Sequence, residues 1–310
     1  MLRKPVAIYV SGLPLIPPGP AEELLDLYDN SRAVPDYPAY LERWQTTSAA
    51  LRALVPYRAD LAYGPAPRNR IDLFVPEASG VSTPAASRDN AWPLLIFLHG
   101  GYWQYLGKHD WSCVAAPFIA RGMAVAIVGY TLCPEITVAG IVGEVQTACA
   151  HLYLNADKYK LDRAQFHVAG HSAGGHLTAI LLATDWPAHD ARLPVKLFQS
   201  GIAVSGVFDL EPLTLTPING ALGLTPVDAL AASPIFRSNI ARTPLLVIVG
   251  AAETAEFLRQ SQALCAAWPV TTYLEAPAQN HFSVIDTFHD PVSAVFEAVW
   301  RHMNAARAMA

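Results

Sequence analysis

Residues 166–176, Phe-His-Val-Ala-Gly-His-Ser-Ala-Gly-Gly-His, restrict what this chain can fold into more than any other stretch. A short apolar run breaks at Gly170, a serine stands two residues on, and Leu-Thr-Ala-Ile-Leu-Leu-Ala continues with helical spacing. The pattern predicts strand, tight turn and helix, with Ser172 at the tip of the turn. Such a turn strains the serine backbone, so the residues two away on either side have to be nearly free of side chain, and Gly170 and Gly174 meet that demand. The helix that follows aims its first amides and the positive end of its dipole at the serine. A Gly-x-Ser-x-Gly match alone is weak, whereas one between a strand and a helix carries a mechanism.

The surrounding chain has the texture of a layered α/β protein. Pro93–Leu98, Ala124–Gly129, Phe166–Ala169, Ile202–Val207, Leu245–Val249 and Val270–Leu274 are short runs, mostly apolar without alternation, as strands covered on both faces require. Helical patterns lie between them near 110–121, 138–157, 173–185, 255–267 and 290–307. The expected fold is therefore α/β, a doubly wound and mostly parallel sheet. Tyr57–Tyr63 and Asn69–Val75 alternate around Gly64-Pro65-Ala66-Pro67 and predict an antiparallel hairpin ahead of it. Glu22–Asn30 and Tyr40–Leu54 predict two helices. Residues 1 to about 20 are expected to form a surface arm, and Glu77–Ala91, rich in Ser, Ala and Pro, a flexible loop.

The 310 residues are read as one domain, with residues 1–56 as an N-terminal helical arm or cap and residues 211–240 as a lid or pocket-lining segment. The helical tail after about 290 either packs on the sheet or mediates a homodimer. A 52% hydrophobic content with 15% charged residues fits a large buried core. The net charge of -5 and scattered basic residues give no footprint for nucleic acid or an anionic membrane, and no apolar run is long enough to span a bilayer. The expected partner is a small-molecule substrate. Cys113, Cys133, Cys149 and Cys265 are far apart with no C-x-x-C pair, and are read as free thiols in a reducing compartment. Pro17-Pro18-Gly19-Pro20 stands where a secretory signal would need small residues, so the expected location is cytoplasmic.

A serine becomes a nucleophile only when a base takes its proton and an acid holds the base in the correct tautomer. In this topology the order along the chain is serine, acid, base. Glu253 follows the strand ending at Gly250 and is the assigned acid. Glu256 and Asp209 are the other carboxylates in range, and either glutamate could instead complement a helix dipole. His281, in Ala-Gln-Asn-His-Phe-Ser after the last strand, is the assigned base. The oxyanion donors fall to the N–H groups of Ala173 and of Gly100 and Gly101 in His99-Gly-Gly-Tyr-Trp103. Tyr102 and Trp103 either line the substrate pocket or pack beneath it. His167, His171 and His176 resemble a metal cluster only in composition, because strand, turn and helix send them in different directions. No metal and no cofactor is expected.

With these residues assembled, the chain resembles the kynurenine formamidases (arylformamidases), within the esterase/lipase group of α/β-hydrolases. The resemblance rests on His-Gly-Gly-Tyr-Trp at 99–103, Gly-His-Ser-Ala-Gly-Gly-His-Leu at 170–177 and Asn-His-Phe-Ser at 280–283, and covers most of residues 25–300. Tyr130–Glu135, Phe208–Pro212, Glu256–Ser261 and Asn30–Trp44 support it. It implies cofactor-free hydrolysis of N-formyl-L-kynurenine to L-kynurenine and formate by Ser172, Glu253 and His281, in tryptophan catabolism. The family's acid is usually aspartate. Glu253 is one methylene longer, which asks for a small shift of its loop. A carboxylesterase or another amidase using the same triad stays open as an alternative, and so does a binding module that has lost catalysis.

Overall fold

The computed structural model describes residues 21–76, 91–239 and 241–308. The expected surface arm (1–20) and nearly all of the expected 77–91 loop lie outside the described residues. Helices α1 (Ala21–Tyr28), α2 (Asn30–Ala33) and α3 (Tyr37–Leu54) lead into strands β1 (Tyr57–Ala62), β2 (Arg70–Phe74), β3 (Trp92–Leu98), β4 (Ala124–Val128), β5 (Leu161–His171), β6 (Ser200–Val204), β7 (Leu245–Gly250) and β8 (Thr271–Ala276). Between and after the strands run α4 (Ala115–Ala120), α5 (Val138–Leu154), α6 (Ala156–Tyr159), α7 (Ala173–Leu182), α8 (Trp186–His189), α9 (Asn219–Leu222), α10 (Pro226–Ala232), α11 (Ala255–Ala267), α12 (Ser283–His289) and α13 (Ala294–Ala308).

The eight strands form one sheet in the order β1-β2-β4-β3-β5-β6-β7-β8. The β1–β2 and β2–β4 pairs are antiparallel and the others are parallel. Every residue of β3, β4, β6 and β7 is buried, as their mostly apolar runs require. One side of the sheet packs on Tyr28, Val145, Leu177 and Phe257, the other on Trp44, Phe118, Phe288 and Phe296. Each fully buried Leu or Ile in these layers contributes roughly 1.5–3 kcal/mol relative to exposure.

Some boundaries differ from the sequence reading, each for a local reason. The strand expected over Ile202–Val207 runs from Ser200 to Val204, because Ser205 turns left-handed (φ 50°). The helix expected over 110–121 divides into a 3-10 segment (Lys108–Val114) and α4, and Pro117 suits the first turn of α4. The last helix, expected from about 290, starts at Ala294, after the Asp290-Pro291 break that follows α12. The tail packs on the sheet side, with Phe296, Val299 and Met303 buried. All four cysteines are free. Among the described residues no helix is long and apolar enough to cross a membrane, and no group of three His, Cys, Asp or Glu could hold a metal ion.

In register, Leu98 of β3 lies beside Gly170 of β5, and Gly250 of β7 beside Ala276 of β8. The loops carrying Gly100, Ser172, Glu253 and His281 therefore leave the same edge of the sheet. Ligands of open α/β sheets bind at this carboxyl edge, where neighbouring crossovers diverge.

Candidate active site

Ser172 joins β5 to α7 with φ 56° and ψ -117°, a conformation that costs about 1–3 kcal/mol in a residue with a Cβ. Its neighbours show what makes the turn feasible. A Cβ on Gly170 would stand 2.2 Å from the carbonyl oxygen of Gly174, and one on Gly174 would stand 2.0 Å from that of Leu98. No larger residue fits either position. Ser172 is 4% exposed and lines a pocket of about 720 Å³, with His281 on the same wall.

His281 Nδ1 lies 2.8 Å from Glu253 Oε2, and both side chains are almost wholly buried. The carboxylate is held from its other oxygen, where Glu253 Oε1 accepts from Ser205 Oγ (2.5 Å) and from the Gly250 N–H (2.7 Å). The left-handed Ser205 that ends β6 is thus aimed at Glu253. Nδ1–H of His281 donates to the carboxylate, which leaves Nε2 as the free ring nitrogen. The ring is packed by Phe257 (4.7 Å between centroids) and by His171 (4.8 Å). His171 Nε2 donates to the His281 carbonyl oxygen (2.8 Å), and burial, then the charge of His281, push its pKa well below the ordinary value. His171 is therefore neutral at pH 7.

The loop after β3 is a succession of left-handed residues: Gly101 (φ 107°), Tyr102 (φ 49°) and Trp103 (φ 57°). It is closed by the N–H groups of Gln104 and Tyr105, both 2.9 Å from the Gly101 carbonyl oxygen, and braced where Tyr130 OH donates to the His99 carbonyl (2.7 Å). The loop backbone passes close to the serine, since a Cβ on Gly100 would stand 3.1 Å from Ser172 Cβ. Ala173 is the first residue of α7, where backbone N–H groups have no partner within the helix.

Of the two aromatics expected at the pocket, Tyr102 lines it, and its OH donates to the Tyr28 carbonyl. The expectation for Trp103 is corrected. This side chain is fully buried beneath the loop, edge-on to His176 (5.0 Å), and is absent from the pocket lining. The alternative acids lie elsewhere. Glu256 accepts from Tyr28 OH (2.6 Å) and pairs with Arg259 (2.7 Å), while Asp209 is buried beside Gln260 and accepts from the Glu211 N–H (3.2 Å). His167 and His176 point away from each other, to Ser200 Oγ and to the Ala232 carbonyl.

The far wall of the pocket was not legible beforehand. Leu25, Asn30, Tyr37 and Trp44 from α1–α3, and Trp111 and Phe282 from the body, complete it. Pro217 and Ile218 bring the 211–240 segment to its rim. The N-terminal helices are held over the site by Thr254 Oγ1 donating to the Leu27 carbonyl (2.6 Å) and by Trp44 Nε1 donating to Asp286 (2.7 Å).

The buried histidines give the fold a pH dependence. Burial lowers His99 and His176 from 6.5 to about 4, and holds His171 well below its ordinary value. Between pH 6.5 and 4 the unfolded chain binds protons that the native state does not, so their stabilisation is complete above 6.5 and is lost as pH falls. Asp209, raised by burial from 3.8 to about 6, works in the opposite direction over most of that window. Three groups outweigh one. Tm is expected to fall when pH is lowered from about 7 to about 4; a flat or rising Tm would show that these imidazoles are not buried neutral.

With this geometry in view, comparison with known proteins gives a consistent picture. The BD-FAE family model matches residues 81–214. The kynurenine formamidase of Danio rerio is 29% identical over 81% of this chain and 84% of its own length, and that of Salmo salar 28% over 77% and 79%. The solved structure of a candidate thioesterase from Silicibacter sp. tm1040 is 31% identical, with a TM-score of 0.76 over 87% of this chain and 96% of that one. Esterase B of Lactobacillus rhamnosis, 17% identical with a TM-score of 0.67 over 93% of this chain and 95% of its own, shares the fold. The chain is a hydrolase and belongs to the kynurenine-formamidase-like family of α/β-hydrolases.

Proposed function

We propose that this hydrolase cleaves an aryl formamide, N-formyl-L-kynurenine, to L-kynurenine and formate through Ser172, His281 and Glu253. The observation that carries the reading is the buried 2.8 Å contact between His281 and Glu253 on the wall of a pocket that also holds the strained Ser172. In this mechanism Ser172 Oγ attacks the formyl carbon while His281 Nε2 takes its proton. The N–H groups of Gly100, Gly101 and Ala173 stabilise the tetrahedral oxyanion. The C–N bond breaks as His281 returns the proton to the departing aryl nitrogen, leaving formyl-Ser172. Water, deprotonated by His281, attacks this ester, and His281 returns the proton to Ser172 Oγ as formate leaves. Glu253 fixes the imidazole tautomer and stabilises its charged form.

The pocket suits an aromatic leaving group, because Tyr37, Trp44, Tyr102, Trp111 and Phe282 line it beside the serine. A second reading, hydrolysis of small acyl esters or thioesters by the same three residues, is favoured by the 31% identity to the candidate thioesterase. The test is turnover of N-formyl-L-kynurenine by purified protein with a metal chelator present. Kynurenine and formate are expected in equal amounts, at the rate seen without chelator. Intact substrate would overturn the reading, and inhibition by chelator would overturn the metal-free mechanism.

A further inference from the structure

Asn30 stands apart from the polar residues around it. It lines the reaction pocket and is 5% exposed, yet among the described residues neither Oδ1 nor Nδ2 of its side chain has a hydrogen-bond partner. Its neighbours are satisfied without it: Ser31 Oγ donates to Asp29 Oδ1 (2.5 Å), Asp29 also caps α2, and the Asn30 carbonyl accepts from the Val34 N–H (3.0 Å). A buried carboxamide with no partner destabilises the fold, and such groups persist where a ligand supplies the missing bonds.

The pocket around it specifies the ligand's chemistry. A carboxamide offers donors and an acceptor together. Beside it Asp29 brings a carboxylate to the lining, whereas among the described residues no Lys or Arg lines the pocket; Arg32 pairs with Asp29 and Asp26 and is half exposed. We propose that Asn30 is a specificity-determining residue that binds an α-amino-acid head on the leaving group. Nδ2–H donates to the head's carboxylate, and its ammonium donates to Asn30 Oδ1 on the side where Asp29 supplies negative charge. The inference rests on the aryl-formamide reading and deepens it, since it names the residue that separates a headed arylamine from a bare one.

The test is calorimetric binding, which needs no turnover. L-kynurenine is compared with 2-aminoacetophenone, the same aryl ketone without the amino-acid head, on wild type, Asn30→Leu and Asn30→Asp. Wild type is expected to bind kynurenine about tenfold more tightly, about 1.4 kcal/mol. Both variants should bring the ratio of the two Kd values close to one, and Asn30→Leu should melt at or above the wild-type temperature because an unpaired polar group is removed. A wild-type ratio near one, or a ratio that neither variant changes, would overturn the proposal. So would a parallel weakening of both ligands with a lower Tm, the mark of a structural asparagine. If wild type favours kynurenine through Asn30 but leaves N-formyl-L-kynurenine intact, the subsite stands and the formamidase reading falls.

Discussion

Replacing Ser172 by alanine is expected to lower kcat by about five to six orders of magnitude on any substrate, with the fold intact. The size follows from the chemistry. Without the hydroxyl, His281 and Glu253 have no proton to move, and the Gly100, Gly101 and Ala173 amides can assist only direct attack by water, a residual of about 10³–10⁴ over the uncatalysed reaction. Alanine keeps a Cβ at the same positive φ, so the turn strain is retained and Tm should stay near that of wild type. The measurement is turnover at high enzyme concentration alongside a thermal melt. A loss below about a hundredfold in a folded variant would mean that the nucleophile lies elsewhere.

The second large effect belongs to Glu253→Gln, expected to reduce kcat by about 10³–10⁴. Glu253 uses both oxygens, Oε2 for His281 Nδ1 and Oε1 for Ser205 Oγ and the Gly250 N–H. A glutamine has one acceptor oxygen. If that oxygen keeps the Ser205 and Gly250 bonds, the amide nitrogen faces His281 as a donor, and the imidazole is turned to the tautomer that cannot accept the serine proton. Glu253→Asp keeps the charge and shortens the reach by one methylene, so its loss should be smaller. Equal losses for the two variants, or less than about tenfold for Glu253→Gln, would remove Glu253 from the mechanism.

What the sequence made legible and what it hid divide along physical lines. The elbow could be read because its constraint is local: Gly170 and Gly174 face backbone at 2.2 and 2.0 Å, which leaves room for one residue type. The parallel sheet was readable because β3, β4 and β7 are buried on both faces and are written without polar interruptions. Glu253 was distinguishable from Glu256 by lying in the turn after β7, whereas Glu256 lies in α11 and points to Tyr28 and Arg259.

The direction of Trp103 could not be read because three consecutive left-handed residues have no period from which side-chain direction follows. One step along the turn sends Tyr102 to the pocket and Trp103 beneath it. The pocket's far wall was hidden for another reason. The apolar positions of α1 and α3 say that these helices bury a face, but which edge of the sheet they cover is fixed by single distant bonds, such as Thr254 to Leu27 and Trp44 to Asp286. Asn30 opens a stretch that supports the resemblance, but nothing in the sequence sets its side chain apart. Its role is visible only as a missing bond.

The most direct test of an aryl-formamide hydrolase is paired kinetics on the purified protein, N-formyl-L-kynurenine against p-nitrophenyl acetate, with Ser172→Ala as control. The value of kcat/KM for the formamide is expected to exceed that for the ester by about two orders of magnitude, roughly 2.7 kcal/mol of transition-state preference. A faster ester with formylkynurenine barely touched would contradict it.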